Sequence, residues 1–266
     1  MDEIVFWGIA YACFLVAAGS YIIVLWRGLD VAALVGRLTG SLAAVLMAAG
    51  LVVRLARAGR WFLAGGGEIA VATAIVSVVV FLLLGRRGKL QGGGAGIFLL
   101  VVLLDSFALW SLVIGSEGGV PPVAGFVASA QPNGEGDVLV AWRVALDVVA
   151  YGCLLVGGGI GLVRLIPAQW PLAGRPPADA LNVGVWRAFV WGVSALSGGL
   201  VIGALAAYLA GRSLWSPESG LLWPMAVWAV CGGVVAVERA GTGRWLAVLA
   251  TPVAAAVFMV ILGGGS

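Results

Sequence analysis

The sequence contains eight apolar stretches that approach or exceed the length needed to cross a lipid bilayer. The hydrocarbon core is about 30 Å thick, and an α-helix needs roughly 20 apolar residues to span it. Backbone polar groups in lipid must pair within the segment, which favours helices. The sequence therefore predicts an all-α, polytopic transmembrane bundle that forms a single domain over residues 1–266 with about eight spans. The predicted spans are Ile4–Trp26, Val31–Val53, Ile69–Leu84, Ala95–Ile114, Val138–Ile166, Val183–Ala210, Gly220–Val237 and Trp245–Leu262.

The composition excludes a water-soluble surface. Hydrophobic residues make up 62% of the chain and charged residues 10%, whereas a soluble domain carries roughly 25% charged residues. The formal net charge of +3 comes from basic residues scattered beside apolar runs. This distribution is typical of topology signals and not of a nucleic-acid surface. We therefore expect a multi-pass protein of the inner cell membrane that is surrounded by the lipid bilayer. We expect no nucleic-acid partner.

The basic residues of the loops predict the orientation of the bundle, because short inner loops are enriched in Lys and Arg. With the amino terminus outside, eight loop residues face inward and four face outward. The inward set is Arg27, Arg86, Arg87, Lys89, Arg164, Arg175, Arg239 and Arg244, and the outward set is Arg54, Arg57, Arg60 and Arg212. Both termini are therefore predicted on the outer face.

Histidine is absent from the chain, which removes the commonest metal ligand and a common axial ligand of haem. The three cysteines, Cys13, Cys153 and Cys231, each lie inside an apolar stretch without metal-ligand spacing. We predict no metal site and no cofactor held by the chain's own ligands. A Ser-His-Asp arrangement is also excluded, and an enzyme is not expected.

Ionisable residues within predicted spans come first as candidates, because a charge is costly there. Arg143 and Asp147 stand four residues apart and share one helix face, so they can form an ion pair. Alternatively, Arg143 could hold the carboxylate of a ligand. Asp105 lies beside Ser106 in the fourth span, and an arginine near the outer end of another helix could be its partner.

A basic segment ends the second span, with Arg54, Arg57, Arg60 and Trp61 at its outer end. Arginine and tryptophan both anchor helices at the membrane interface. Three outward arginines nevertheless oppose the usual charge bias. They could instead contact a carboxylate ligand or an acidic partner.

Tryptophans recur around the predicted outer turn that precedes the seventh span, at Trp215, Trp223 and Trp228. Interfacial anchoring explains tryptophans at such positions. A ligand or partner contact is the alternative.

Three segments together resemble the haem-handling membrane proteins of cytochrome c biogenesis, the CcsA-like family named for a tryptophan-rich WWD domain. The first segment is Trp215–Ser219, followed by Trp228 and by Glu238–Arg239. The resemblance implies about this number of spans and an outer site that handles haem through paired histidines.

The other two segments lie earlier in the chain. Arg54, Gly59 and Glu68 reproduce the spacing of an upstream family motif, with Arg60 at the position of its histidine. In the fifth span Arg143 takes the histidine position eight residues before Tyr151. Because every family histidine is missing, ligation of haem by paired histidines is excluded, and haem would need an iron ligand from a partner.

Three functions remain open from the sequence. The chain could be a non-catalytic scaffold or accessory subunit of a membrane electron-transfer complex, with other membrane subunits or a cytochrome as partners. It could present haem on an outer Trp/Arg surface during cytochrome c biogenesis. It could also be a small-solute transporter that uses the intramembrane charges. Glycine-lined clefts between spans could hold a lipid, a quinone or a pigment.

Overall fold

The computed structural model describes residues 3–59, 63, 66–85, 90–118, 137–167, 169–209, 211 and 221–239. These residues form seven α-helices and one short 3₁₀ turn, Gln91–Gly93, and no β-strand. The helices are α1 (Glu3–Arg27), α2 (Asp30–Arg57), α3 (Gly66–Gly85), α4 (Gly94–Gly118), α5 (Asp137–Leu165), α6 (Ala178–Leu209) and α7 (Leu222–Arg239).

Within this part of the chain, α1 to α6 are long and apolar enough to cross a membrane. The all-α prediction is confirmed, and six of the predicted spans coincide with these helices. The predicted seventh span corresponds to α7, whose apolar segment Pro224–Ala236 is shorter. The predicted eighth span, Trp245–Leu262, and both chain ends lie outside the described residues.

Helix α5 is the central element of the bundle. In its most apolar 18-residue segment, 83% of the residues are buried, compared with 28% in that of α2 and 33% in that of α6. It packs on α3, α4 and α6, while α1 packs between α2 and α4. Apolar side chains on the outer faces of α2 and α6 are left exposed, as lipid-facing surfaces are.

Glycines permit the closest helix contacts. A Cβ added to Gly159 of α5 would lie 2.6 Å from the Cα of Ile97 in α4. The facing residue Gly96 lies directly against the Gly159 carbonyl. Without side chains at these two positions, the backbones of α4 and α5 come into contact.

We call the end of the bundle that carries Arg27 the inner end, following the charge-based prediction. There, the connection between α5 and α6 packs on the α1–α2 turn, and the amide of Gly174 donates to the carbonyl of Leu25 at 3.2 Å. Gly28 makes this turn with a φ of 66°, a conformation that side chains disfavour. The opposite end, with Arg54 and Glu68, is the outer end.

Candidate functional site

Arg54 and Glu68 meet at the outer end between α2 and α3. The Nε of Arg54 donates to Oε1 of Glu68 at 3.0 Å. The Glu68 side chain is 1% exposed and that of Arg54 is 30% exposed. Glu68 also lies in the first turn of its helix, where a negative charge is favourable. Two residues singled out by the family resemblance are therefore ion-pair partners.

Trp7 of α1 completes this outer contact. The guanidinium carbon of Arg54 lies 5.6 Å from the centre of the Trp7 ring, a cation–π distance. Gly50 of α2 makes room for the ring, because an added Cβ would lie 2.5 Å from the indole nitrogen. Sequence reasoning missed Trp7, since nothing in the sequence pairs it with residues some fifty positions away. The Arg54 site thus joins α1, α2 and α3.

Of the other residues in the basic segment that ends the second span, the structure describes Arg57 but not Arg60 or Trp61. Arg57 ends α2 with an exposed side chain. Arg60 and Trp61 lie outside the described residues. An outer surface that combines them with Arg54 therefore stays a prediction.

Arg143 and Asp147 form a second polar site, between α5 and α6. The Nε of Arg143 lies 3.6 Å from Oδ2 of Asp147, and the side chains are 8% and 1% exposed. The predicted i,i+4 proximity is therefore present. At this distance the contact is electrostatic, and neither carboxylate oxygen has a hydrogen-bond partner in the described part of the chain.

Two glycines of α6 accommodate this pair. A Cβ added to Gly199 would lie 2.5 Å from Oδ1 of Asp147, and one added to Gly203 would lie 2.9 Å from Cδ of Arg143. The two glycines stand four residues apart and share a helix face, as do Arg143 and Asp147. The small-residue face of α6 therefore fits over the charged face of α5.

Tyr151 continues the same face of α5 one turn toward the inner end. Its side chain is fully buried. The series Arg143, Asp147, Tyr151 thus forms a buried polar ladder on one face of α5, and its first two members lie against α6.

The two outer sites lie at the same depth. Ser77 of α3 donates to the carbonyl of Gly152 in α5 at 3.3 Å. Nearer the outer end, Ile69 and Ala72 pack with Val144 and Val148. Because α3 and α5 run in the same direction, this register places Glu68 level with Arg143. The outer end of the bundle therefore holds a layer of four charged side chains.

Asp105 lies elsewhere, on the face of α4 that is fully buried. Its side chain is 0% exposed, and neither of its oxygens has a hydrogen-bond partner among the described residues. The arginine partner that the sequence suggested is not found in that part of the chain. The adjacent Ser106 contacts Tyr11 of α1 through their hydroxyl groups at 3.0 Å.

Trp228 links α7 to α6, because its indole N–H donates to the hydroxyl of Ser197 at 2.8 Å. Its side chain is also 41% exposed. Trp223 lies in α7, but its side chain and the whole of Trp215 lie outside the described residues. Of these three tryptophans, Trp228 is the one whose side chain the structure describes.

No group of three or more Cys, Asp or Glu side chains that could hold a metal ion occurs in the described ranges. The three cysteines form no disulfide. The chemistry that these residues offer is therefore electrostatic: buried ion pairs, hydroxyl groups and one isolated carboxyl group.

The six long apolar helices and the charges buried between them define a multi-pass helical membrane protein. No protein-family model and no curated protein matches the chain, so the likeness to the cytochrome c biogenesis family remains a prediction.

Proposed function

We propose that this protein is a non-catalytic scaffold or accessory subunit of a membrane electron-transfer complex in the inner cell membrane. Its helical frame would resemble that of CcsA-like cytochrome c assembly proteins. The observation that carries the proposal is that Arg54 and Arg143 each lie beside a carboxylate of the chain itself.

These pairs bear on the choice between a scaffold and a haem-handling protein. A haem-binding surface would direct arginines at the propionates, as charge-assisted hydrogen bonds require. Here the Glu68 carboxylate accepts from Arg54, and Asp147 lies beside Arg143 beneath the backbone of α6. Charges that are matched inside the protein stabilise helix packing and leave less for an external anion. The absence of histidine supports the same conclusion.

The experiment is gentle solubilisation of native membranes followed by tagged purification, native electrophoresis, mass spectrometry of the subunits and an absorption spectrum. We expect the chain to migrate with other membrane subunits or with a cytochrome. A second sample in a harsh detergent, which separates weakly associated subunits, is the control for the mass of the isolated chain. Recovery of a lone monomer under mild conditions would contradict the proposal.

The same preparation separates the haem-handling alternative from the scaffold. Haem is added to the isolated chain after the partners have been removed. A scaffold gives no Soret band above that of free haem. A Soret band that titrates to one haem per chain would instead support haem presentation by the outer Trp/Arg surface.

Asp105 favours a small-solute transporter as a second candidate function, because an isolated intramembrane carboxyl group is a common feature of ion pathways. In that case Asp105→Asn would abolish solute uptake by intact cells while leaving the subunit composition of the complex unchanged. Unchanged uptake in that variant would contradict a transporter function that depends on Asp105.

A further inference from the structure

A small, partly enclosed pocket opens at the inner end of the bundle, away from the outer charged layer. It lies between α1, α2 and α3, beside the 3₁₀ turn that precedes α4. Its lining consists of Tyr21, Arg37, Phe81, Leu82, Gly85 and Gln91. The lining thus combines one cation, a hydroxyl group and an amide with an apolar floor.

Arg37 is the distinctive residue of this pocket. It lies seven residues into α2, about 10 Å along the axis from the inner end of that helix. Its side chain is half-buried and lines the pocket together with that of Tyr21. Unlike Arg54 and Arg143, Arg37 pairs with no carboxylate in the described part of the chain. A guanidinium at this depth is costly unless an anion or water accompanies it.

Exposed leucines that follow two of the pocket residues in the sequence indicate what kind of anion would fit. Leu38, next to Arg37 on α2, is 61% exposed, and Leu83 of α3 is 47% exposed. An anion with hydrocarbon chains could place its charge in the pocket and its chains along these leucines. A small hydrophilic anion would gain nothing from them.

The inner end is also the basic end of the chain. Arg27 ends α1 and Arg164 lies in the last turn of α5. In the sequence, Gly85 is followed directly by Arg86 and Arg87. Basic pockets between helices on the cytoplasmic side of a membrane bind the head groups of anionic lipids.

We propose that an anionic phospholipid binds at the mouth of this pocket, with one phosphate oxygen entering it and Arg37 as the main ligand. The planar guanidinium donates to phosphate oxygens, and the Tyr21 hydroxyl and Gln91 amide supply further donors. The acyl chains lie against Leu38 and Leu83. This proposal is independent of the proposed function, because a scaffold, a haem-handling protein and a transporter could each hold such a lipid.

The test is lipid binding to the purified full-length protein, with phosphatidylglycerol and phosphatidylcholine as probes. Lipid that remains bound after delipidation is identified by native mass spectrometry, and added lipid is titrated. We expect phosphatidylglycerol to bind in preference to phosphatidylcholine. Arg37→Gln should weaken phosphatidylglycerol binding by about fivefold or more, as loss of one surface cation predicts. Equal binding by the wild type and this variant would overturn the proposal.

Arg187→Gln is the matched control. Arg187 lies nine residues into α6 at the same end of the bundle, but its side chain is exposed and lines no described pocket. Binding by this variant should equal that of the wild type. An equal loss of phosphatidylglycerol binding in both variants would mean that the lipid is attracted nonspecifically by the net positive charge. That result would contradict a specific binding site at Arg37.

A second variant keeps the test valid if Arg37→Gln fails to fold. Among the described residues, a Cβ added to Gly85 would meet the Phe81 ring at 3.8 Å, which is ordinary contact. Gly85→Val should therefore fold, fill part of the pocket and weaken lipid binding while Arg37 remains. Full lipid binding by a folded Gly85→Val protein would contradict the assignment of the pocket.

Free phosphate is the other source of this ligand chemistry. Inorganic phosphate is added at millimolar concentration to protein loaded with phosphatidylglycerol. We expect the lipid to stay bound, because its chains also contribute. Displacement of the lipid by inorganic phosphate would show that a soluble anion is the ligand and would overturn the lipid assignment.

Discussion

Arg54 and Arg143 lie at the same end of the bundle but in different surroundings. Arg54 is partly solvated and contacts both a carboxylate and an aromatic ring. Arg143 is almost fully buried, and its neighbours include the backbone of a glycine. Removal of one partner of a buried ion pair leaves an uncompensated charge, which costs more than the pair contributes. The burial of each partner therefore decides which substitution is the more harmful.

For the outer pair, we expect Arg54→Gln to be more destabilising than Glu68→Gln. The first leaves a carboxylate that is 1% exposed without its Arg54 contact, whereas the second leaves a guanidinium that water can reach. The loss for Arg54→Gln should be about 2 kcal/mol, measured by thermal unfolding in detergent. Arg187→Gln, on an exposed face, should change stability by less than about 0.5 kcal/mol. The opposite order for the two pair variants would show that Glu68 has sufficient other partners.

At Asp105 the prediction depends on the absence of hydrogen bonds to its carboxyl group in the described part of the chain. Replacement of an unsatisfied buried polar group by an apolar one of similar shape is neutral or stabilising. Asp105→Leu should therefore unfold at the same or a higher temperature than the wild type. Ser106→Ala, which removes the hydroxyl contact with Tyr11, should cost about 1 kcal/mol. A marked loss of stability in Asp105→Leu would mean that the carboxyl group has a structural partner.

At the scale of helices, glycine positions determine how closely neighbours approach. The tight glycines of α4, α5 and α6 meet backbone atoms or buried side chains, while Gly19 of α1 has nothing near an added Cβ. A helical glycine is itself unfavourable relative to alanine, by roughly 0.5–1 kcal/mol. A helical glycine therefore leaves the free energy of unfolding nearly unchanged only where the close helix contact that it permits offsets this loss.

Gly159→Ala and Gly19→Ala should accordingly have opposite effects. The first forces α4 away from α5, because backbone atoms cannot move aside as side chains can, and should cost about 1–3 kcal/mol. The second should stabilise the protein by about 0.5 kcal/mol. Thermal unfolding of both variants in the same detergent measures the difference. Equal effects would contradict the close packing of α4 on α5.

At the scale of the whole molecule, hydrophobicity alone predicted the six long apolar helices. The sites were only partly predictable, because sequence spacing reports contacts within one helix but not between helices. Arg143 and Asp147 could be paired from their i,i+4 spacing, whereas the contact of Arg54 with Trp7 depends on how α1 packs against α2. The pocket around Arg37 was missed for the same reason, since its lining comes from four segments.

The orientation is a prediction from charge bias alone, and it would place the Arg54–Glu68 pair outside and Arg37 inside. The native cysteines lie within helices, so new cysteines at the two ends can serve as reporters. Ala58, which follows α2, is exposed, and Leu29, in the α1–α2 turn, is 48% exposed.

Labelling of Ala58→Cys and Leu29→Cys by a membrane-impermeant maleimide tests most directly whether the bundle crosses the bilayer in this orientation. In intact cells or spheroplasts we expect Ala58→Cys to react at once and Leu29→Cys to react only after the membrane is permeabilised. The cysteine-containing wild type gives the background. Reaction of both variants from the same side would contradict a membrane-crossing α2, and the reverse order would contradict the assignment of the outer end.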